Sequence, residues 1–390
     1  MKLKYSLLPL FLFLACSVDQ PTQLPDHIID LENLTVHSVD AEPTKNIQFE
    51  QKQTFGDTDD VFIGRFSSIS VDEAGRVYIA DGQGLSIKVY EPNGQLLTQL
   101  GREGRGPGEF LNLSNIQVNG IKVFAYDSNQ QRAVVFSTDS LTYNYTVNIA
   151  NNRQDFEELQ DAYLSGYYVR NDNTFLFRFT RYSHPGNLSD WDIYGNTGLY
   201  YLLDKDGQVD SEKLFEMKYS NEVIIPAGGM SLGRPVDFYG KSLTALSNDD
   251  YVYAAWSEDF LIKVYNPKGD YERAFYYGFE TIPLTVSSAR DSGTNELIVE
   301  SMSSMELPDR WPALDDMFVD DENRVWVSVI TGDRTAYEWW VLDEFGELQA
   351  TFTWPGNSEI KKVMRENLYT LETEEETGLQ MVVKYQIEWN

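Results

Sequence analysis

Only four side chains in 390 residues could make a disulfide, a thiolate metal site or an imidazole base: Cys16, His27, His37 and His184. A single cysteine excludes an internal disulfide, a cysteine-ligated zinc and an intramolecular redox pair. Because His27 and His37 precede the region of repeats, a three-histidine zinc site within that region is excluded as well. His184 could serve alone as an acid or base, although a single loop histidine is more often solvated. Cations are also scarce, with 31 Lys and Arg against 61 Asp and Glu and a net charge of −30. Such a surface repels nucleic acid and anionic head groups, and its excess charge speaks first to solubility. There is no Gly-x-Ser-x-Gly elbow, so a serine triad would have to recruit His184. The apolar run at residues 7–14 is too short to span a bilayer, which takes about 20 residues of helix.

What the chain does contain is repetition. Residues 70–100 read SVDEAGRVYIADGQGLSIKVYEPNGQLLTQL, and residues 319–352 read VDDENRVWVSVITGDRTAYEWWVLDEFGELQATF. Each is a short strand, a polar turn ending in Arg, a β-branched or aromatic strand, a variable loop, a strand, a Gly turn and a strand. That is a four-stranded meander. Residues 118–149 and 246–277 repeat the plan, the latter matching IKVYEPNG with IKVYNPKG. Residues 163–219 repeat it with a long insertion between the second and third strands. Residues 361–388 supply only three strands.

A ring of sheets must close, and the alternating segment IQFEQKQTF at residues 47–55 is the natural donor of the missing strand. The expected fold is therefore all-β: a six-bladed β-propeller of four-stranded antiparallel blades, closed by an N-terminal strand that completes the last blade. A seventh blade would have to hide in residues 280–307, but NELIVESMSSMEL reads as helix or irregular excursion. With Tyr 24, Phe 21 and Trp 8, most aromatics are expected between the blades.

At the N-terminus, Lys2 and Lys4 precede the apolar run, and Phe13-Leu14-Ala15-Cys16 follows. This resembles a bacterial lipoprotein signal peptide (residues 1–15), with Phe13 where Leu is usual. The resemblance implies cleavage and lipid attachment at Cys16, and hence a cell-envelope location; Ser17 after the cysteine leans toward the outer membrane. Residues 16–45 then read as a tether with residues 28–36 docking on the propeller, which occupies residues 46–390.

Three stretches stand out: Asp72-Glu73-Ala74-Gly75-Arg76 with Val77-Tyr78-Ile79-Ala80-Asp81, the loop Gly101 to Phe110 (GREGRGPGEF), and Trp311-Pro312 leading to Val325-Trp326-Val327. On these residues the propeller resembles the NHL-repeat-like, Bacteroidetes-type six-bladed β-propeller lipoproteins. The resemblance is specific for fold and leaves activity open.

Meander topology separates two faces. The first-to-second and third-to-fourth turns share one face and are uniformly tight, which is turn chemistry. The second-to-third loops and the blade-to-blade crossings share the other and hold nearly all insertions, so that face is the expected binding surface. Candidate ligand-binding residues there are Arg102, Arg105 and Arg132 around the glycine-rich loop, Arg234 and Arg334, and the aromatics Tyr182, Trp191 and Trp311. The loop is not a P-loop, since no Lys-Ser/Thr follows its last glycine.

The leading expectation is a membrane-tethered binding propeller for a protein, peptide or glycan, with no catalytic residue, metal or cofactor assigned. One alternative is a calcium-assisted hydrolase or lyase that uses Asp81, Asp127, Asp259 and Asp333, or Asp190 and Asp192, at the channel mouth. The other is a non-catalytic scaffold subunit of an envelope complex.

Overall fold

The computed structural model describes residues 24–58, 61–182, 193–227, 230–332, 335–374 and 376–390. Residues up to Leu31 are a unit of their own, whose described part holds a one-turn helix, Asp26–Ile29. Glu32 to Asn390 form the ring.

Six sheets follow one another in chain order, each a meander from an innermost to an outermost strand. Blade 1 is Phe66–Val71, Val77–Asp81, Ser86–Tyr90 and Leu96–Leu100. Blade 2 runs from Leu113–Asn119 to Tyr143–Asn148, and blade 4 from Ser242–Leu246 to Tyr271–Tyr277. Blade 5 runs from Leu314–Val319 to Leu348–Pro355. Blade 6 has Ser358–Met364, Asn367–Thr373 and Gln380–Trp389, and its outermost strand is Ile47–Phe55, antiparallel to the C-terminal strand from Ile47 opposite Trp389 to Phe55 opposite Val382. The closure expected from IQFEQKQTF is the one observed.

Blade 3 departs from the plan. Its strands Phe175–Tyr182, Ile193–Leu203 and Phe215–Ala227 are long, and a fifth strand, Met230–Pro235, extends the sheet. Much of the crossing from blade 3 to blade 4 is thus a hairpin, Phe215–Ala227 paired with Met230–Pro235. Residues 280–307 are the helical excursion expected, with Val286–Asp291 started by a Thr285–Ser288 capping box and followed by Glu296–Ser301.

Blade interiors read as continuous apolar runs because a blade is covered on both faces. Val77–Asp81 and Val325–Val329 are buried at every position. Each of the six blade interfaces has its own core: Tyr78 with Phe136, Tyr126 with Phe177, Leu176 with Val252, Tyr253 with Val327, Trp339 with Leu368, and Tyr369 with Val77. Each buried side chain of this size stabilises the ring by roughly 1.5–3 kcal/mol. A seventh core lies among the insertions, where Val223, Phe238, Val299 and Trp311 pack together.

Within the expected tether, Leu34–His37 is a strand parallel to Tyr271–Tyr277 at the rim of blade 4, with His37 stacked on Tyr277 at 5.0 Å. The chain then passes blade 5, where Lys45 N–H donates to Gln349 O, before entering blade 6. The N-terminal segment therefore follows the perimeter instead of hanging free from residue 32 onward.

The tight turns lace the blades together. Asn119 Nδ2 of blade 2 donates to Arg170 O of blade 3 at 2.8 Å, and Asn171 of blade 3 donates to Asn248 O of blade 4. Asn248 Nδ2 donates to Asp321 O of blade 5 at 2.6 Å, and Asp321 accepts from Arg365 N–H of blade 6 at 3.0 Å. Arg365 then donates to Glu73 O of blade 1, and Val118 N–H of blade 2 donates to Ser70 Oγ of blade 1 at 2.9 Å. Asn173, Asp250 and Asn323 in these turns hold φ near +62° to +63°, the left-handed region that Asn and Asp tolerate best among non-glycines.

Candidate functional site

The glycine-rich crossing from blade 1 to blade 2 is filled by its own side chain. Glu109 Oε2 accepts from Gly106 N–H at 2.7 Å, and Glu109 Oε1 accepts from Arg102 Nε and Nη2 at 3.0 and 2.8 Å. The Gly106 N–H, then Arg102, hold the Glu109 carboxyl below its usual range. Arg132 spends its guanidinium on the carbonyls of Arg105, Gly106 and Glu109. So Arg102, Arg105 and Arg132 do come together, but Arg102 and Arg132 brace the loop, and Arg105 is exposed. The position where an external anion would sit is taken by Glu109.

Trp311 is 1 % exposed. It packs on Phe238 and donates from Nε1 to Ser288 Oγ at 3.0 Å, so it is a core residue of the insertions and not the exposed stacking platform expected. Arg234 is exposed on the added strand of blade 3, opposite Val223. Cys16, His184, Trp191 and Arg334 lie outside the described residues, as do Asp190, Asp192 and Asp333.

Tyr182 does sit in a concavity. A cavity of about 440 Å³ is lined by Asp161, Tyr163, Tyr182, Tyr194 and Glu222. Tyr163 and Tyr182 meet edge to face at 5.2 Å and are 62 % and 40 % exposed. Glu222 accepts from Tyr194 Oη at 2.5 Å and from Asn196 Nδ2 at 2.9 Å.

Two of the carboxylates considered for calcium, Asp81 and Asp127, are staples of their own blades. Asp81 accepts from the N–H groups of Gly64, Arg65, Gln83 and Gly84 and pairs with Lys88. Burial pushes its pKa up, but the Lys88 ammonium and the Gly84, Gly64 and Arg65 N–H groups outweigh burial and hold it at about 2. Asp127 accepts likewise from Leu111, Asn112 and Gln130. Among the described residues, no three His, Cys, Asp or Glu side chains are grouped to hold a metal ion.

The central channel holds what the sequence reading missed. A cavity of about 500 Å³ is lined by the innermost strands of all six blades, through Ser68, Asn115, Ser165, Thr244, Met317 and Lys362 among others. Its lining runs from mid-strand to Asn119, Asn171, Asn248 and Asp250, the half of the channel bounded by tight turns and not by insertions. The lacing described above ties together the turns at this end of the channel.

Arg178 reaches this cavity from the second strand of blade 3. Its Nε donates to Ser165 Oγ at 3.1 Å and its Nη2 to Ser165 O at 3.0 Å, while its guanidinium lies 4.1 Å from the centre of the Tyr219 ring. Ser165 falls at a bulge between Leu164 and Gly166, and Tyr219 at another opposite Asn196 and Thr197. Two glycines clear the path. A Cβ on Gly166 would stand 3.0 Å from Arg178 Nη2, and one on Gly198 would stand 3.2 Å from its Cδ. Glycine inside a strand commonly marks such a close approach. Burial works against the charge, but the phenols of Tyr200, Tyr219 and Tyr168 more than offset it, so the Arg178 pKa lies above its usual value.

Lys362 lines the same cavity, and its ammonium makes no hydrogen bond or ion pair among the described residues. Burial lowers its ammonium pKa, against the opposing pull of Asp321 and Asp320. A second, smaller cavity of about 360 Å³ toward the other mouth is lined by Lys241, Asp315, Asp316, Trp339 and Trp354. There Lys241 pairs with Asp315 at 3.2 Å, and burial raises the Asp316 carboxyl.

A family model described as a 6-bladed beta-propeller, DUF5128, matches residues 25–223, just over half of the chain. A solved member of the DUF4221 family from Bacteroides vulgatus is 12 % identical, with a TM-score of 0.53, covering 89 % of this chain and 99 % of its own. A protein of Bacteroides fragilis described as exported is 13 % identical, with a TM-score of 0.48 and coverages of 91 % and 99 %. The calcium-binding regucalcin of Agrobacterium tumefaciens is 11 % identical, with a TM-score of 0.41 and coverages of 90 % and 96 %. At such identities the likeness concerns the fold. No curated protein matches the sequence.

Proposed function

We propose that this chain, which belongs to the DUF5128 family of six-bladed β-propellers, is a lipid-anchored protein of a bacterial envelope that binds a small ligand in its central channel. The observation that carries the binding reading is the polar cavity of about 500 Å³ built by all six blades, a volume within the usual range of ligand sites. Its wall is preformed: hydrogen bonds between successive tight turns hold the rim without a ligand. Preorganisation of that kind lowers the entropy lost on binding.

The inserted-loop face supports a second reading on its own observation, the exposed Tyr163–Tyr182 pair beside Glu222. Tyrosines against a carboxylate suit the apolar face and hydroxyls of a sugar. Arrays of glycans and short peptides, probed with the purified protein, separate the two readings. Loss of a captured ligand in Arg178→Gln places it in the channel, loss in Tyr182→Ala places it on the tyrosines, and capture of no array member refutes the binding function.

The anchor rests on residues 1–16 alone, the basic start, the apolar run and the only cysteine. No helix among the described residues is long and apolar enough to cross a membrane. Metabolic labelling with a fatty-acid analogue should mark the wild-type chain and not Cys16→Ser, which should move from the membrane fraction to the soluble one. Equal labelling of both would remove the anchor.

A further inference from the structure

The geometry points to an oxyanion as the group the channel binds: a carboxylate or phosphate on a small molecule, received by the Arg178 guanidinium with Lys362 as a second cation. This deepens the channel-binding reading and rests on it.

Charge bookkeeping around the cavity runs against the whole molecule. The chain carries 61 acidic and 31 basic residues, yet the charged side chains that line the cavity are Arg178, Lys361, Lys362 and Asp250. Two of the four are already answered. Lys361 pairs with Glu359, and Asp250 lies 3.8 Å from Arg170 and accepts from Asn171 N–H. The two charges left without an ion pair are both positive, with Asp321 and Asp320 acting on Lys362 only at a distance.

Arg178 is held in a way that keeps part of its fork free. Ser165 takes the Nε hydrogen and one Nη2 hydrogen, and the Tyr200 phenol favours the charge from nearby. A guanidinium has five N–H donors, so three are left beyond those that Ser165 takes. No carboxylate forms an ion pair with Arg178 among the described residues. Burying a cation beside serines and phenols costs stability that a carboxylate would offset, and the stacking of Tyr219 returns only about 0.5–2 kcal/mol of it. Two bulges and two glycines in blade 3 serve this one side chain. A planar fork with free donors is the group best matched to carboxylate and phosphate oxygens.

Isothermal titration with glucuronate, glucose 6-phosphate and inorganic phosphate, with glucose as the neutral control, tests the inference and separates carboxylate from phosphate. At least one anion should bind, glucose should not, and affinity should fall as salt rises. Arg178→Gln should weaken binding by roughly ten- to a hundredfold, the worth of a hydrogen-bonded charge. Gly166→Ala leaves the arginine in place but crowds its Nη2, and should also weaken binding. Lys362→Met gives an independent reading if Arg178→Gln does not fold.

Binding of glucose as tightly as its anionic forms, or anion binding unchanged in both Arg178→Gln and Lys362→Met, overturns the inference. So does failure of every anion to bind. Should the arrays nonetheless yield a neutral ligand lost in Arg178→Gln, the channel-binding reading stands and the oxyanion inference alone falls.

Discussion

Replacing Asp320 with Ala isolates the device that makes the repeated turn. Asp320 is 2 % exposed. Its carboxylate accepts from Glu322 N–H at 2.9 Å, Arg324 N–H at 2.9 Å, Arg324 Nε at 2.6 Å and Trp326 Nε1 at 2.8 Å. Blade 1 repeats the arrangement, with Asp72 accepting from Ala74 N–H, Arg76 N–H, Arg76 Nε and Tyr78 Oη. Without the carboxylate, Trp326 Nε1 is left buried with no acceptor, and Arg324 keeps Glu322 at 3.0 Å as its ion pair and the Trp389 ring at 4.7 Å. Each buried donor left unsatisfied costs about 1–3 kcal/mol, and breaking a buried ion pair costs about 3–5 kcal/mol. The expected loss for Asp320→Ala is therefore about 3–5 kcal/mol.

Asp343 supplies the control within the same blade. It accepts only from the N–H groups of Phe345 and Glu347, whose side chains are exposed. Those N–H groups can turn to water, so Asp343→Ala should cost about 1 kcal/mol. Urea unfolding of both variants, followed by fluorescence and circular dichroism, measures the difference, provided the slopes match the wild type. Two variants within 1 kcal/mol of each other would refute the buried-staple account.

Three other outcomes are expected. Phe55 is 0 % exposed and meets Tyr90 edge to face at 5.7 Å, so Phe55→Ala should cost about 3–5 kcal/mol; thermal unfolding would contradict the closure if it shows less than about 1 kcal/mol. The Asp81 pKa is lowered from 3.8 to about 2, so its contribution is fully present above the unfolded value and is lost as pH falls through the folded one. Between about pH 5 and pH 2, Asp81→Asn should therefore lose roughly 2 kcal/mol less stability than the wild type, and parallel urea-midpoint profiles for the two would refute that. Tyr219→Leu should leave the fold intact but release the Arg178 guanidinium, which a loss of anion affinity without a large shift in unfolding midpoint would register; unchanged affinity would show that the stacking is incidental.

Much of the ring was legible from residues 70–100 and 319–352, because a meander is written in local terms: turn residues at fixed offsets and short apolar runs between them. The closing strand at residues 47–55 was legible for a different reason, the missing fourth strand of the last blade. The same turns read as turn chemistry, and the structure adds a structural role to that. Their Asn and Asp side chains tie each blade to the next, and which turn faces which cannot be read from any one of them.

The site was less legible. The glycine-rich loop looked open because its ligand, Glu109, is one of its own residues and carries no separate signal. Trp311 looked exposed because a long crossing usually is, but the helical excursion and blade 3 share a core that covers it. Arg178 sits in FLFRFT, where a lone charge among aromatics, with Gly166 and Gly198 inside neighbouring strands, was the available sign. It was passed over in favour of arginines in loops.

By itself the sequence determined the fold class, the number of blades and the strand that closes them, since these follow from spacing along the chain and from the need to pair every strand. Only the tertiary structure decided where charge is left uncompensated. Ser165 and Arg178 of blade 3 line one cavity with Lys362 of blade 6, far apart in sequence. Whether a cation there has a partner depends on distances that no local pattern encodes.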